Sequence, residues 1–118
     1  MNVAPTAPMS EKQFQDEVSK LARNLGWADC HVHPARAGKR FITPTSRPIP
    51  DLILWKPGRL IWRELKVPRG AGGRILDGQW KPGQRETIAE LQAAGEDVAV
   101  WTPDDLDSGL IRRELGAS

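Results

Sequence analysis

A chain of 118 residues with a net charge of +2 and one cysteine, Cys30, has room for a single domain, with a core of one sheet and two or three helices. One cysteine excludes an internal disulfide and makes a reducing cytoplasm the natural setting; no run approaches the roughly 18 apolar residues that span a bilayer. The small net charge hides an uneven distribution: twelve Lys or Arg against three acids between residues 33 and 85 give the middle +9, while the two ends together carry −7. A basic centre points to a polyanion on one face, and a solvated run of loop charge fits the same count.

Residues 1–9 are rich in Pro and Ala, lack the basic start and apolar core of a secretion signal, and are expected to form a flexible leader. Ser10 with Gln13 makes a capping box, and Phe14, Val18, Leu21, Ala22 and Leu25 recur at helical spacing up to Gly26. A short strand is expected over 27–33, then a basic loop over 34–49 with Arg36, Lys39 and Arg40. A hairpin follows, with strands 51–55 and 60–67 turning on Lys56-Pro57-Gly58-Arg59: proline presets φ at the first turn position and glycine supplies the positive φ at the second. A second basic loop over 68–83 carries Arg69 and Arg74; a helix over 84–94 stops at Gly95, and a last strand covers 98–101. The order α-β-β-β-α-β predicts an α/β fold, a central mixed sheet flanked by helices, in a domain over 10–107. Residues 108–118 are expected to be a tail, with a short helix running from Pro103 towards Leu115.

The stretch PDLILWKPGRLIWRELK, residues 50–66, places charges where strands usually exclude them. Side chains alternate along a strand, so Glu64 and Lys66 share a face. With the turn at 56–59, Trp55 pairs near Leu60 and Asp51 comes opposite Glu64. Like charges placed directly opposite destabilise a sheet unless a cation sits between them. Facing carboxylates suit a hard divalent ion, Mg²⁺ or Mn²⁺. A lysine beside such an ion can hold or help deprotonate an attacking water and offset charge in a phosphorane-like transition state. On the first helix, Glu11 lies near the centre of the apolar stripe and is expected to turn inward; a first-turn carboxylate favoured by the helix dipole fits as well. Gln84, one turn before Ile88, also faces inward, either to orient a water or phosphate oxygen or to cap the helix start.

Taken in order, SEKQFQDEVSKLARNLGW, H-V-H, PIPDLILW, RELK, a Gly-rich basic loop and GQRETIAELQAAGEDVAVWTPDD resemble the PD-(D/E)XK nuclease superfamily, and within it the compact VRR-NUC type of phage and bacterial genomes. The resemblance runs from about residue 10 to 107 and implies a restriction-endonuclease-like core with a Mg²⁺- or Mn²⁺-dependent deoxyribonuclease activity. It implies that Asp51, Glu64 and the backbone carbonyl of Leu65 hold the metal, and that Lys66 serves the nucleophilic water. Glu11 matches the family's first-helix acid, Gln84 its later-helix glutamine and Gln15 a recurrent polar position. The loops over 34–49 and 68–83 are longer than in small members. Arg36, Lys39, Arg40, Arg69 and Arg74 are the expected phosphate contacts, which would make binding salt-dependent. So small a domain covers little duplex, which points to a homodimer acting on two strands, as in family members that resolve branched DNA.

Other motifs carry less. Cys30, His31 and His33 lack a fourth ligand, and adjacent Cys30 and His31 point to opposite faces, against zinc. Half-buried strand histidines fit His31 and His33. The glycines at 70, 72 and 73 match no phosphate-cradling spacing, and no G-x-S-x-G or H-E-x-x-H occurs. Trp80, in the basic loop, has the chemistry to stack on a base. Two alternatives to the endonuclease stand: a non-catalytic DNA-binding module retaining the nuclease fold, and a structural partner in a phage replication or packaging complex. A pure binder gains nothing from Asp51 and Glu64 in a basic groove, where they repel phosphate.

Overall fold

The computed structural model describes residues 9–32 and 47–116. Helix α1 (Glu11–Asn24) starts on the anticipated capping box, Ser10 Oγ accepting from the Gln13 amide at 3.1 Å while Gln13 Oε1 accepts from the Ser10 amide at 2.9 Å. Its buried stripe is Phe14, Val18, Ser19 and Ala22. Strand β1 (Ala28–His31) leads to the hairpin of β2 (Leu52–Lys56) and β3 (Arg59–Leu65). Lys56 pairs with Arg59 across a two-residue loop in which Gly58 takes φ +84°, and the register then places Trp55 opposite Leu60 and Leu52 opposite Arg63. After two 3₁₀ turns, Ala71–Gly73 and Asp77–Gln79, helix α2 (Gln84–Ala93) crosses over to β4 (Asp97–Trp101), which pairs parallel to β3.

The result is one mixed sheet in the order β1-β2-β3-β4, with the first three strands antiparallel and helices packed on it, as the α/β order predicts. Alternation sends Leu52 and Leu54 of β2, and Ile61 and Leu65 of β3, into a core with Phe14, Val18, Ala22, Trp27 and Trp101. Among the described residues no helix is long and apolar enough to cross a membrane.

The C-terminal segment differs from its expected role as a tail. Helices α3 (Pro103–Asp107) and α4 (Leu110–Glu114) are separated at Gly109, whose φ of +86° ends the first and admits the second. Ile111 and Leu115 are fully buried in the common core, and Trp27 Nε1 donates to the Leu115 carbonyl at 3.0 Å. The physical reason is the inner face of β3. Arg63 occupies a core position there, and its guanidinium needs Glu114 Oε1 at 3.2 Å and Asp97 Oδ1 at 2.9 Å, with its Cζ 4.9 Å from the Trp101 ring centroid.

Candidate active site

One step beyond the last pair of the β2–β3 ladder, Leu52 with Arg63, Asp51 falls opposite Glu64. Their contact runs partly through the backbone: the Asp51 amide donates to Glu64 Oε1 at 3.2 Å, and the Leu65 amide donates to Asp51 Oδ1 at 3.1 Å. Lys66, two residues past Glu64, lies on the same face as expected, with Nζ 3.3 Å from Glu64 Oε2. Gln84 opens α2 facing inward: Nε2 donates to Glu64 Oε2 at 3.1 Å, while Oε1 accepts from Lys66 Nζ at 3.0 Å and from the Lys81 amide at 2.8 Å. Two donors at one end of the amide and a carboxylate at the other fix its orientation. Gln84 thus accepts from the Lys81 amide just ahead of α2 and, in a role the sequence did not suggest, bridges Glu64 to Lys66.

Glu64, Lys66 and Gln84 are 3 %, 9 % and 6 % exposed, a burial that charged groups tolerate only when paired and hydrogen-bonded. Asp51 is less well compensated. Burial first, and the neighbouring charge of Glu64 second, push its carboxyl up to about 7, against the opposing pull of the Leu65 amide and Lys66. Two oxygen-bearing acids with excess negative charge are the donor chemistry a hard divalent ion satisfies; Mg²⁺ commonly takes one or two carboxylates and keeps several waters. In extended backbone the N–H and C=O of one residue point to the same side, so the Leu65 carbonyl opens towards Asp51, where its amide is bound. Asp51, Glu64 and the Leu65 carbonyl thus fit such an ion.

Glu11 does not join them. It is exposed at the first position of α1, a turn before the buried Phe14, and among the described residues no group of three or more His, Cys, Asp or Glu gathers around a metal-sized space. Helical phase alone placed it inward; at the first turn the stripe has not yet reached the core. Gln15 is half-buried on the same helix. Arg69 and Arg74 are exposed on the loop after Lys66, whereas Arg36, Lys39, Arg40 and His33 lie outside the described residues. His31 is half-buried, its Nε2 2.7 Å from Ser19 Oγ.

The partner that sequence reasoning missed is Gln79. Its main-chain carbonyl accepts from Lys66 Nζ at 2.6 Å. A lone amide in a Gly- and Pro-rich loop has no periodicity to expose it. Trp80, noted for stacking, lies against the same ammonium, 4.8 Å from ring centroid to Lys66 Nζ, with Arg85 Cζ at 5.5 Å. No family model, curated protein or solved structure matches the chain.

Proposed function

We propose that this chain is a divalent-metal-dependent endonuclease of restriction-endonuclease-like fold that hydrolyses DNA phosphodiester bonds. The observation that carries the proposal is the buried network in which Glu64 is shared between Lys66 and Gln84 while Asp51 faces it with a carboxyl raised to about 7. A fold has no structural need for two facing acids and a lysine at one sheet end; such perturbed clusters concentrate at reactive sites.

Asp51, Glu64 and the Leu65 carbonyl would hold Mg²⁺ or Mn²⁺, which supplies Lewis acidity towards a phosphoryl oxygen and lowers the pKa of a water. Lys66 would set its ammonium charge beside the attacking water and offset charge growing on the phosphoryl oxygens. Gln84 fixes the distance between Lys66 and Glu64, so that nucleophile and acids keep one geometry. Exposed Arg69 and Arg74, with Arg36, Lys39 and Arg40, supply the phosphate contacts that hold the strand, giving an affinity that falls steeply with salt. Branched or junction DNA and a homodimer with two such sites extend the same reading.

The test is incubation with supercoiled plasmid and synthetic branched DNA in Mg²⁺, Mn²⁺ or EDTA. Cutting is expected with either ion, is absent in EDTA, and is lost in Asp51→Ala, Glu64→Ala and Lys66→Ala. Wild-type protein that binds these DNAs in every ion without cutting any would establish the non-catalytic binding module instead.

A further inference from the structure

Lys66 Nζ has three close acceptors: it donates to Gln84 Oε1 at 3.0 Å and to the Gln79 carbonyl at 2.6 Å, and pairs with Glu64 Oε2 at 3.3 Å. The shortest of the three comes from a loop, not from the sheet or α2. A loop carbonyl steers a buried ammonium only if the loop is itself held, and here one side chain holds it. Gln79 Nε2 donates to the Val67 carbonyl at 2.7 Å, while Gln79 Oε1 accepts from the Arg69 amide at 2.9 Å and the Leu76 amide at 3.1 Å. Its amide thereby ties the chain leaving β3 to the 3₁₀ turn Asp77–Gln79, closing the loop on itself. Trp80, the next residue, sets its ring against the same ammonium.

We propose that Gln79 is a positioning residue for Lys66: its side chain clasps residues 67–79 shut, so that its own main-chain carbonyl and the adjoining Trp80 ring fix the ammonium against Glu64. The inference rests on the nuclease reading for its catalytic consequence and on the clasp geometry alone for its structural one. Gln79 touches neither acid and is not placed against substrate; it acts through Lys66. On that reading the loop after β3 belongs to the catalytic apparatus through Lys66.

Gln79→Met keeps the side-chain volume and removes all three of its hydrogen bonds, and Gln79→Glu keeps the two acceptor bonds and loses the donor. Three readouts are made on the whole chain. Hydrogen exchange reports the Arg69 and Leu76 amides. Acylation with an amine reagent, followed by mass spectrometry, reports access to Lys66 against exposed Lys20. Steady-state cleavage separates kcat from KM. In Gln79→Met both amides lose protection and Lys66 labelling rises roughly fivefold relative to Lys20 as the clasp opens. The kcat falls roughly tenfold or more with KM within about twofold, because displacement of a positioned group acts on the chemical step. Gln79→Glu lies between wild type and Gln79→Met in all three. Unchanged amide protection, or freed amides with unchanged Lys66 labelling, overturns the proposal; freed Lys66 with unchanged kcat overturns its catalytic part. Should wild-type protein cut no DNA, the nuclease reading falls, while exchange and labelling still decide whether Gln79 positions Lys66.

Discussion

Glu64 Oε1 takes a hydrogen bond from the Asp51 amide at 3.2 Å, so the two acids are tied through the backbone of one and repel through the carboxylate of the other. That arrangement makes the folded protein sensitive to pH in an unusual direction. A carboxyl held near 7 when folded and at 3.8 when free binds more protons in the folded state across that window. Stability therefore falls as pH rises from about 4 to about 7, by up to about 1.4 kcal/mol per unit, and levels off above. Asp29, held below its ordinary value by Arg23, acts in the opposite sense and only in the acid range below that window. Urea denaturation in chelator between pH 4.5 and 8 is expected to show the decline, and Asp51→Asn to remove it and to be the more stable protein at pH 8. A flat wild-type profile would mean that Asp51 is ionised without penalty.

The same carboxyl couples cation binding to proton release. With its carboxyl pushed up to about 7, Asp51 is expected to be mostly protonated at pH 6, and a divalent ion held there as proposed would displace that proton. Calorimetric titration with Mg²⁺ or Mn²⁺ in buffers of different ionisation heat should find nearly one proton released per ion at pH 6, and close to none at about pH 8.5. Asp51→Asn is expected to lose both the release and most of the affinity. Binding at pH 6 with no proton release would place the ion away from Asp51.

Part of this site is legible in the sequence because a hairpin's register follows from its turn. Pro57-Gly58 fixes Lys56 against Arg59, and a period of two then carries Asp51 to Glu64 and sets Lys66 on the same face. Gln84 is legible through helical phase. Glu11 is not, since phase gives a direction and not the depth at which a first turn meets the core. Gln79 is hidden for another reason: its bonds go to Val67, Arg69 and Leu76 in an irregular loop, where no repeat links residue type to position. Glu114, which reads as part of an acidic flank, instead pairs with buried Arg63, a residue that charge counting alone assigns to the basic surface.

Lys66 is expected to matter to stability as well as to cleavage. Lys66→Met leaves Glu64 buried with Gln84 as its remaining side-chain donor, and breaking such a pair costs about 3–5 kcal/mol at neutral pH. Adding Glu64→Gln to Lys66→Met removes the stranded charge and should recover a substantial share of the loss, whereas cleavage stays abolished in both. Thermal and urea denaturation of the two single variants and the double variant measure the coupling. Additive losses would show that Glu64 and Lys66 do not share a buried interaction.

Gln84→Ala removes the bridge without removing a charge. Glu64 Oε2 keeps Lys66 and Lys66 keeps Gln79, but the Lys81 amide at the start of α2 loses its acceptor. A destabilisation of about 1–3 kcal/mol follows from the unsatisfied groups. Cleavage should drop by roughly 10–100-fold, a loss of positioning and not of a reacting group, with DNA affinity little changed. Filter binding beside cleavage kinetics separates the two; weakened binding with unchanged kcat would put Gln84 on the DNA instead.

Removing residues 108–118 is expected to unfold the protein and not merely shorten it. The deletion takes Ile111 and Leu115 out of the core, strips Trp27 Nε1 of its acceptor and takes away one of the two carboxylates that pair with Arg63, a residue only 2 % exposed. Ile111→Ala alone should cost about 2–5 kcal/mol by the cavity it leaves. Arg63→Ala leaves Glu114 and Asp97 facing an emptied core position and should cost about 3–5 kcal/mol, whereas Arg63→Met, which fills the space and buries no charge, should cost less than Arg63→Ala. Circular dichroism and denaturant titration of the four proteins rank these effects. A truncated chain that kept a cooperative transition and the same midpoint would mean that α4 docks on a core already complete without it.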